Sequence, residues 1–125
     1  KDAKEKLALS LNNLIEKFLS AEKKVILIGP LSTPKYNFPL DYSRNIFLDK
    51  KLNLSKNYPF EKFEKENQVF FKTFENKENF RFFLPHKVQC KKNYCEYIID
   101  NQSLFADDNH LSEYMVSYLH FYQNE

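Results

Sequence analysis

Val25-Ile26-Leu27-Ile28-Gly29-Pro30 is the stretch on which the fold turns. Four consecutive apolar residues rich in β-branched side chains predict a strand buried on both faces. Gly29-Pro30 ends it. Upstream, residues 2–22 read as an amphipathic helix. Leu7, Leu11, Leu14, Ile15, Phe18 and Leu19 recur at spacings of three and four, which puts them on one face. Lys4, Lys6, Asn13, Glu16 and Lys17 fall mostly on the other. Lys23-Lys24 close the helix, where cations suit the negative end of its dipole. A helix leading into a buried strand is half of a parallel α/β unit.

Downstream, residues 31–58 form a long irregular stretch with Pro34 and Pro39, and a helical portion is expected around Arg44 to Leu52. A loop of that length often lies over a functional face. Residues 59–77 read as a second helix. Pro59 suits its first turn, and Phe60, Phe63, Val69, Phe70 and Phe74 give an apolar stripe. Residues 79–84 predict a second buried strand, stopped by Pro85. Tyr97 to Ile99 and Ser103 to Phe105 predict a hairpin across Asp100-Asn101. Residues 110–123 predict a last helix with Leu111, Met115, Leu119 and Tyr122 on one face. Two buried strands make a poor sheet alone, so the order of elements reads as one half of a three-layer α/β domain.

Composition bounds the chemistry. The chain has 125 residues, room for one domain, with 13 Phe and 8 Tyr but one glycine, Gly29. A single glycine excludes a phosphate-binding loop, a dinucleotide-binding turn and a G-x-S-x-G nucleophile elbow. Either the fold uses few tight turns, or the glycine-bearing part of the domain lies outside these residues. Nineteen Lys+Arg against 17 Asp+Glu give a net charge of +2, against the concentrated basic surface of a nucleic-acid binder. At 42% hydrophobic the chain can bury a core. It has no run of about 18 apolar residues for a membrane span and no signal segment. It opens on Lys1, so it is expected to be an excised piece of a longer protein.

The residues that could carry chemistry cluster in Leu104-Phe105-Ala106-Asp107-Asp108-Asn109-His110-Leu111-Ser112. An Asp three residues before a His can set its carboxylate against the imidazole Nδ1. Nε2 is then free to take a proton from a serine. On spacing alone, Asp107, Asp108 and Asn109 could equally be a turn and cap for the last helix. A metal-dependent phosphoesterase site built on Asp107, Asp108 and His110 would lack further ligands. Cys90 and Cys95 have no second pair and only His86 nearby, which leaves four-ligand zinc unsupported and two reduced thiols or a local disulfide open. His86, after Pro85, reads as a surface or loop histidine, and His120 as packing at the edge of the last helix. The lysines and aromatics of residues 56–77 read as an amphipathic helix with a solvated face.

The order of these features resembles the C-terminal half of an SGNH (GDSL-like) hydrolase domain. The resemblance is to the domain found at the C-terminus of bacterial acyltransferase-3 membrane O-acetyltransferases. That family carries aromatic-x-D-x-x-H-L-S, here Phe105, Asp107, His110, Leu111 and Ser112. It has a buried strand ending in a G-P-x-P-like turn, here Val25 to Pro30 with Pro34 in place of the nearer proline. A strand, a Cys pair and a short hairpin precede its motif, as Cys90, Cys95 and Tyr97 to Phe105 do here. The resemblance implies a three-layer α/β/α, flavodoxin-like fold, with residues 1–125 as its C-terminal portion. It also implies Asp107 as the orienting acid, His110 as the general base and a Cys90–Cys95 disulfide. The family's G-D-S serine block and its oxyanion glycine are absent, and no serine here matches them, so the chain alone is expected to be inactive. The intact parent would transfer acetyl groups to hydroxyls of cell-surface polysaccharide, lipopolysaccharide or peptidoglycan. Acetyl-CoA would be the donor to a membrane domain, with no cofactor in this domain. Its partners would be a saccharide acceptor, the N-terminal half of the same domain and that membrane domain, with no nucleic acid. Its place would be extracytoplasmic, tethered to the bacterial inner membrane. The alternative is a non-catalytic carbohydrate- or protein-binding module.

Overall fold

A computed structural model describes residues 3–34, 36–50 and 58–121, without the side chains of 120 and 121. Helix α1 (Ala3–Ser20) leads into strand β1 (Val25–Ile28). Helix α2 (Phe38–Phe47), strand β2 (Tyr58–Pro59), helix α3 (Phe60–Thr73) and strand β3 (Phe80–Phe83) follow. A single helical turn α4 (His86–Gln89) precedes strands β4 (Cys90–Lys91) and β5 (Tyr94–Cys95). Strands β6 (Ile98–Ile99) and β7 (Gln102–Ser103) and helix α5 (Glu113–Phe121) complete the order.

The parallel unit forms as expected. β1 and β3 pair in parallel, with Val25 opposite Phe80 and Ile28 opposite Phe83. Helices α1 and α3 cover one face around Ala8, Ile15, Phe74, Phe80 and Phe82. The buried stripe of α1 is Ala8, Leu11, Ile15 and Leu19, which leaves Leu7, Leu14 and Phe18 as an exposed shoulder. The expectation that β1 is buried on both faces is corrected. Ile26 and Ile28 are 69% and 66% exposed, because no described helix packs on that side of the strand. No described strand pairs with the outer edge of β1. Val25 N–H donates to Asn79 O and Gly29 N–H to Phe83 O, both at 2.8 Å. By the alternation of a parallel ladder, Ile26 and Ile28 turn their own N–H and C=O groups away from β3.

Gly29 sits at a close approach of the two strands. A Cβ there would sit 3.1 Å from the Phe82 ring and from Phe83 O. The scarcity of glycine does not mean few tight turns. Glu22, Asp49, Asn79, Lys92, Asp100 and Asn101 all have positive φ, so other residues occupy the left-handed positions. Asp100-Asn101 forms the expected hairpin turn, both residues at the positive φ of a two-residue loop, although its second strand lies at Gln102–Ser103 rather than at Ser103 to Phe105.

The stretch expected as a loop contains α2. Its cap is Asn37, whose side chain accepts from Leu40 N–H at 3.2 Å, so the helix starts before the expected Arg44 to Leu52. Residues 51–57, including the end of that expected helix, lie outside the described residues. Pro59 caps α3 from outside its first turn, and the helix ends at Thr73 rather than 77.

Cys90 and Cys95 sit opposite each other in the β4–β5 hairpin and are joined by a disulfide, closing a cluster with Phe63. A buried polar knot holds the Pro30–Thr33 loop against α4. Ser32 N–H donates to Gln89 Oε1 at 2.9 Å, Gln89 Nε2 donates to Ser32 O at 2.6 Å, and the Ser32 and Tyr97 hydroxyls lie 3.2 Å apart. Tyr97 in turn meets Phe105 edge to face at 5.9 Å, within the core of Phe38, Tyr97, Ile99, Leu104, Phe105 and Met115.

Candidate functional site

The segment that follows this core is anchored and then released. Leu104 and Phe105 are fully buried, whereas Ala106 to His110 lie outside the core. The chain returns at Leu111, which bridges Phe105 as an antiparallel pair. Ala106 N–H donates to His110 O at 2.8 Å, and Ser112 N–H to Leu104 O at 3.0 Å. Five residues are thereby held out on a closed neck.

Asp107 organises this excursion. Its Oδ1 accepts from the N–H of Asn109 at 2.9 Å and of His110 at 2.7 Å, an Asx-type turn. Its Oδ2 lies 2.7 Å from His110 Nδ1. One carboxylate thus fixes both the backbone that carries the imidazole and the ring itself. These contacts hold the Asp107 carboxyl near 2, below its ordinary 3.8, the backbone N–H of Asn109 contributing most. The bond to Asp107 raises His110 above its ordinary 6.5.

The His110 side chain is 77% exposed, and no hydrogen bond engages Nε2 among the described residues. Nδ1 is oriented and Nε2 faces outward, the arrangement a general base needs. The same geometry accounts for the turn reading in part. Asp107 does cap a turn, but the last helix begins at Glu113 rather than at 110. Its cap is Ser112, whose Oγ accepts from Met115 N–H at 3.2 Å.

Beside His110, Leu111 joins Ile28, Leu31, Phe83, Pro85 and Val116 around an apolar groove of about 640 Å³. The groove lies at the carboxyl ends of β1 and β3, where ligand sites collect in open α/β sheets. Among the described residues no serine hydrogen-bonds His110, and no group of acidic, His and Cys side chains could hold a metal ion.

His86 is not the surface histidine expected. The α4 turn rolls it inward, 6% exposed, against Phe60, Phe63 and Phe71, with ring centroids 6.4, 5.3 and 4.8 Å away. Its Nδ1 has no hydrogen-bond partner among the described residues, and burial pushes its pKa down to about 4. His120 lies in α5, and its side chain is outside the described residues. Sequence reasoning named Ser112 only as part of a motif and did not single out Gln89. A hydroxyl two residues after His110 and one before Glu113 was the available signal for a cap.

A protein-family model described as "SGNH domain (fused to AT3 domains)" matches residues 1–123. No curated protein and no solved structure matches the chain.

Proposed function

The chain belongs to the family of SGNH domains fused to AT3 domains, and on that footing we propose that it supplies the Asp and His of a Ser-His-Asp acyl-transfer site. Family membership makes it an SGNH hydrolase-like module with an α/β fold, associated with acyltransferase domains. The observation that carries the finer reading is Asp107 Oδ2 at 2.7 Å from His110 Nδ1, with Nε2 unengaged.

In this reading the serine and the oxyanion donors come from a segment of the parent that lies beside β1. His110 Nε2 takes the serine Oγ proton as that oxygen attacks an acetyl carbonyl, and Asp107 stabilises the imidazolium. His110 then returns the proton to the leaving group, and an acetyl-serine remains. In the second half, His110 takes the proton of a sugar hydroxyl, which attacks the acetyl-serine. The ester leaves with the sugar, and the proton returns to serine. The acceptor is a cell-surface polysaccharide, lipopolysaccharide or peptidoglycan. The acetyl group originates in acetyl-CoA and arrives through the membrane domain, with the site on the extracytoplasmic side. No described helix is long and apolar enough to cross a membrane, so the anchor in this reading belongs to the AT3 part of the parent.

The absence of a serine at His110 among the described residues supports a second reading, a module that binds saccharide or protein without catalysis. A serine-directed fluorophosphonate separates the two. The intact parent is expected to be labelled covalently, with labelling and acetyl-ester turnover abolished by His110→Ala. A parent that takes no label, or a His110→Ala parent that turns over normally, sinks the catalytic reading.

A further inference from the structure

We propose that Ser112 is a positioning residue that latches the neck of the Asp107–His110 loop and so sets the imidazole for proton transfer. The functional weight of this rests on the reading of His110 as a base; the structural claim stands apart from it.

Ser112 makes four hydrogen bonds that tie three pieces of chain together at one point. Its Oγ donates to Ser103 O at 2.6 Å, across to β7, and accepts from Met115 N–H at 3.2 Å in the first turn of α5. Its backbone N–H donates to Leu104 O at 3.0 Å, and its C=O accepts from Val116 N–H at 3.1 Å. The hydroxyl therefore joins the strand that enters the loop to the helix that leaves it. Leu104, Phe105 and Met115, its neighbours on both sides, are buried in the core. Opposite, the Ser103 hydroxyl donates to Phe105 O at 2.8 Å and accepts from Phe105 N–H at 3.3 Å, which stiffens the entering strand.

Between the latch and the dyad lie only Leu111 and the Ala106–His110 bond, so a neck opened at Ser112 lets the two arms of the loop splay and loosens the bond of Asp107 to His110. The three bonds Asp107 makes to Asn109 and His110 are internal to the loop and do not fix it against the core. The latch supplies that fixed reference. A displacement of about 1 Å at a reacting group costs roughly 10- to 100-fold in rate.

The test combines Ser112→Ala, Ser112→Gly and Ser112→Thr. Glycine loses the hydroxyl but weakens a cap less than alanine does, so it serves as the second hydroxyl-free form should alanine prevent folding. Threonine keeps the hydroxyl. One readout is the titration of His110 by NMR in the 125-residue chain, with the Nδ1–H resonance as a marker of the Asp107 bond. The other is kcat and KM for acetyl-ester turnover in the intact parent.

The hydroxyl-free variants are expected to bring His110 down toward 6.5 and to broaden the Nδ1–H signal. In the parent they are expected to lower kcat by roughly 10- to 100-fold at an unchanged KM. Threonine is expected to restore both. Folded alanine or glycine variants with the wild-type His110 titration and Nδ1–H signal overturn the proposal. An altered His110 titration in a parent that never turns over an ester upholds the latch and overturns only the catalytic reading.

Discussion

At the scale of single residues, Asp107 and His110 were legible because their contact is local. A carboxylate three residues before an imidazole closes its own turn, and no distant element is needed to bring the two together. Its consequence for pH has a definite sign. His110 must lose its proton to act as a base, and Asp107 holds that proton on to higher pH. The acid limb of kcat/KM in the parent is therefore expected to fall above pH 6.5, the ordinary value for histidine. Asp107→Asn is expected to shift that limb down toward 6.5 and to reduce kcat by roughly 10,000-fold, the scale seen when a triad Asp becomes Asn. A pH–rate profile of both forms checks it. His86 was not legible, because its cage is assembled from α3 residues distant in sequence. It titrates the other way. Its folded pKa of about 4 lies below the ordinary 6.5, so the folded chain resists a proton that the unfolded chain accepts. Stability from this site is whole above pH 6.5 and is lost as pH falls through that value toward 4. The loss is on the order of 2 kcal/mol once solvent relaxation is allowed for. His86→Phe is expected to flatten that fall in urea midpoints measured from pH 7 to pH 4.

At the scale of elements, hydrophobic period and turn chemistry located the helices and strands, and local capping decided where they ended. The apolar run of β1 predicted a strand correctly and its burial wrongly, since a run of four apolar residues reports the environment it is built for. α2 was missed in position because its start depends on the Asn37 cap and Pro39 rather than on an apolar stripe. The short strands β2, β4 and β5 had no signal, as two-residue strands carry no period. What holds that three-stranded patch is the Cys90–Cys95 disulfide packed on Phe63. Its closed loop is short, so the entropy it removes from the unfolded chain amounts to about 2 kcal/mol. Replacing both cysteines by alanine is expected to lower stability by about that amount in a urea titration. His110 is expected to keep its raised pKa, because its loop hangs from the β6–β7 core instead. A collapse of the Asp107–His110 bond in the cysteine-free chain would show that the disulfide braces the site.

At the scale of the whole molecule, the open side of β1 departs from the strand buried on both faces that its apolar run predicts, and it lies where the expected other half of a three-layer domain would pack. One face of the β1–β3 sheet is covered by α1 and α3, while Ile26 and Ile28 stand exposed on the other, beside a strand edge that no described strand pairs. An edge with free N–H and C=O groups and an apolar face is a template for further strand pairing. The groove bounded by Ile28, Phe83 and Val116 continues the same surface up to Leu111, next to His110. In the proposed parent, the segment that brings the serine covers this side, and one docking event both completes the sheet and delivers the nucleophile. Charge placed there reads out that coverage. In the 125-residue chain, Ile26→Glu and Ile28→Glu meet water, so stability is expected to change by no more than about 0.5 kcal/mol. In the parent the same carboxylates would be buried without partners, at a cost of about 3 kcal/mol or more. Chemical denaturation of both forms distinguishes the outcomes. If the parent tolerates Glu at both positions as well as the short chain does, the serine does not arrive across this face. A segment approaching from the far side of the Asp107–His110 loop would then be required.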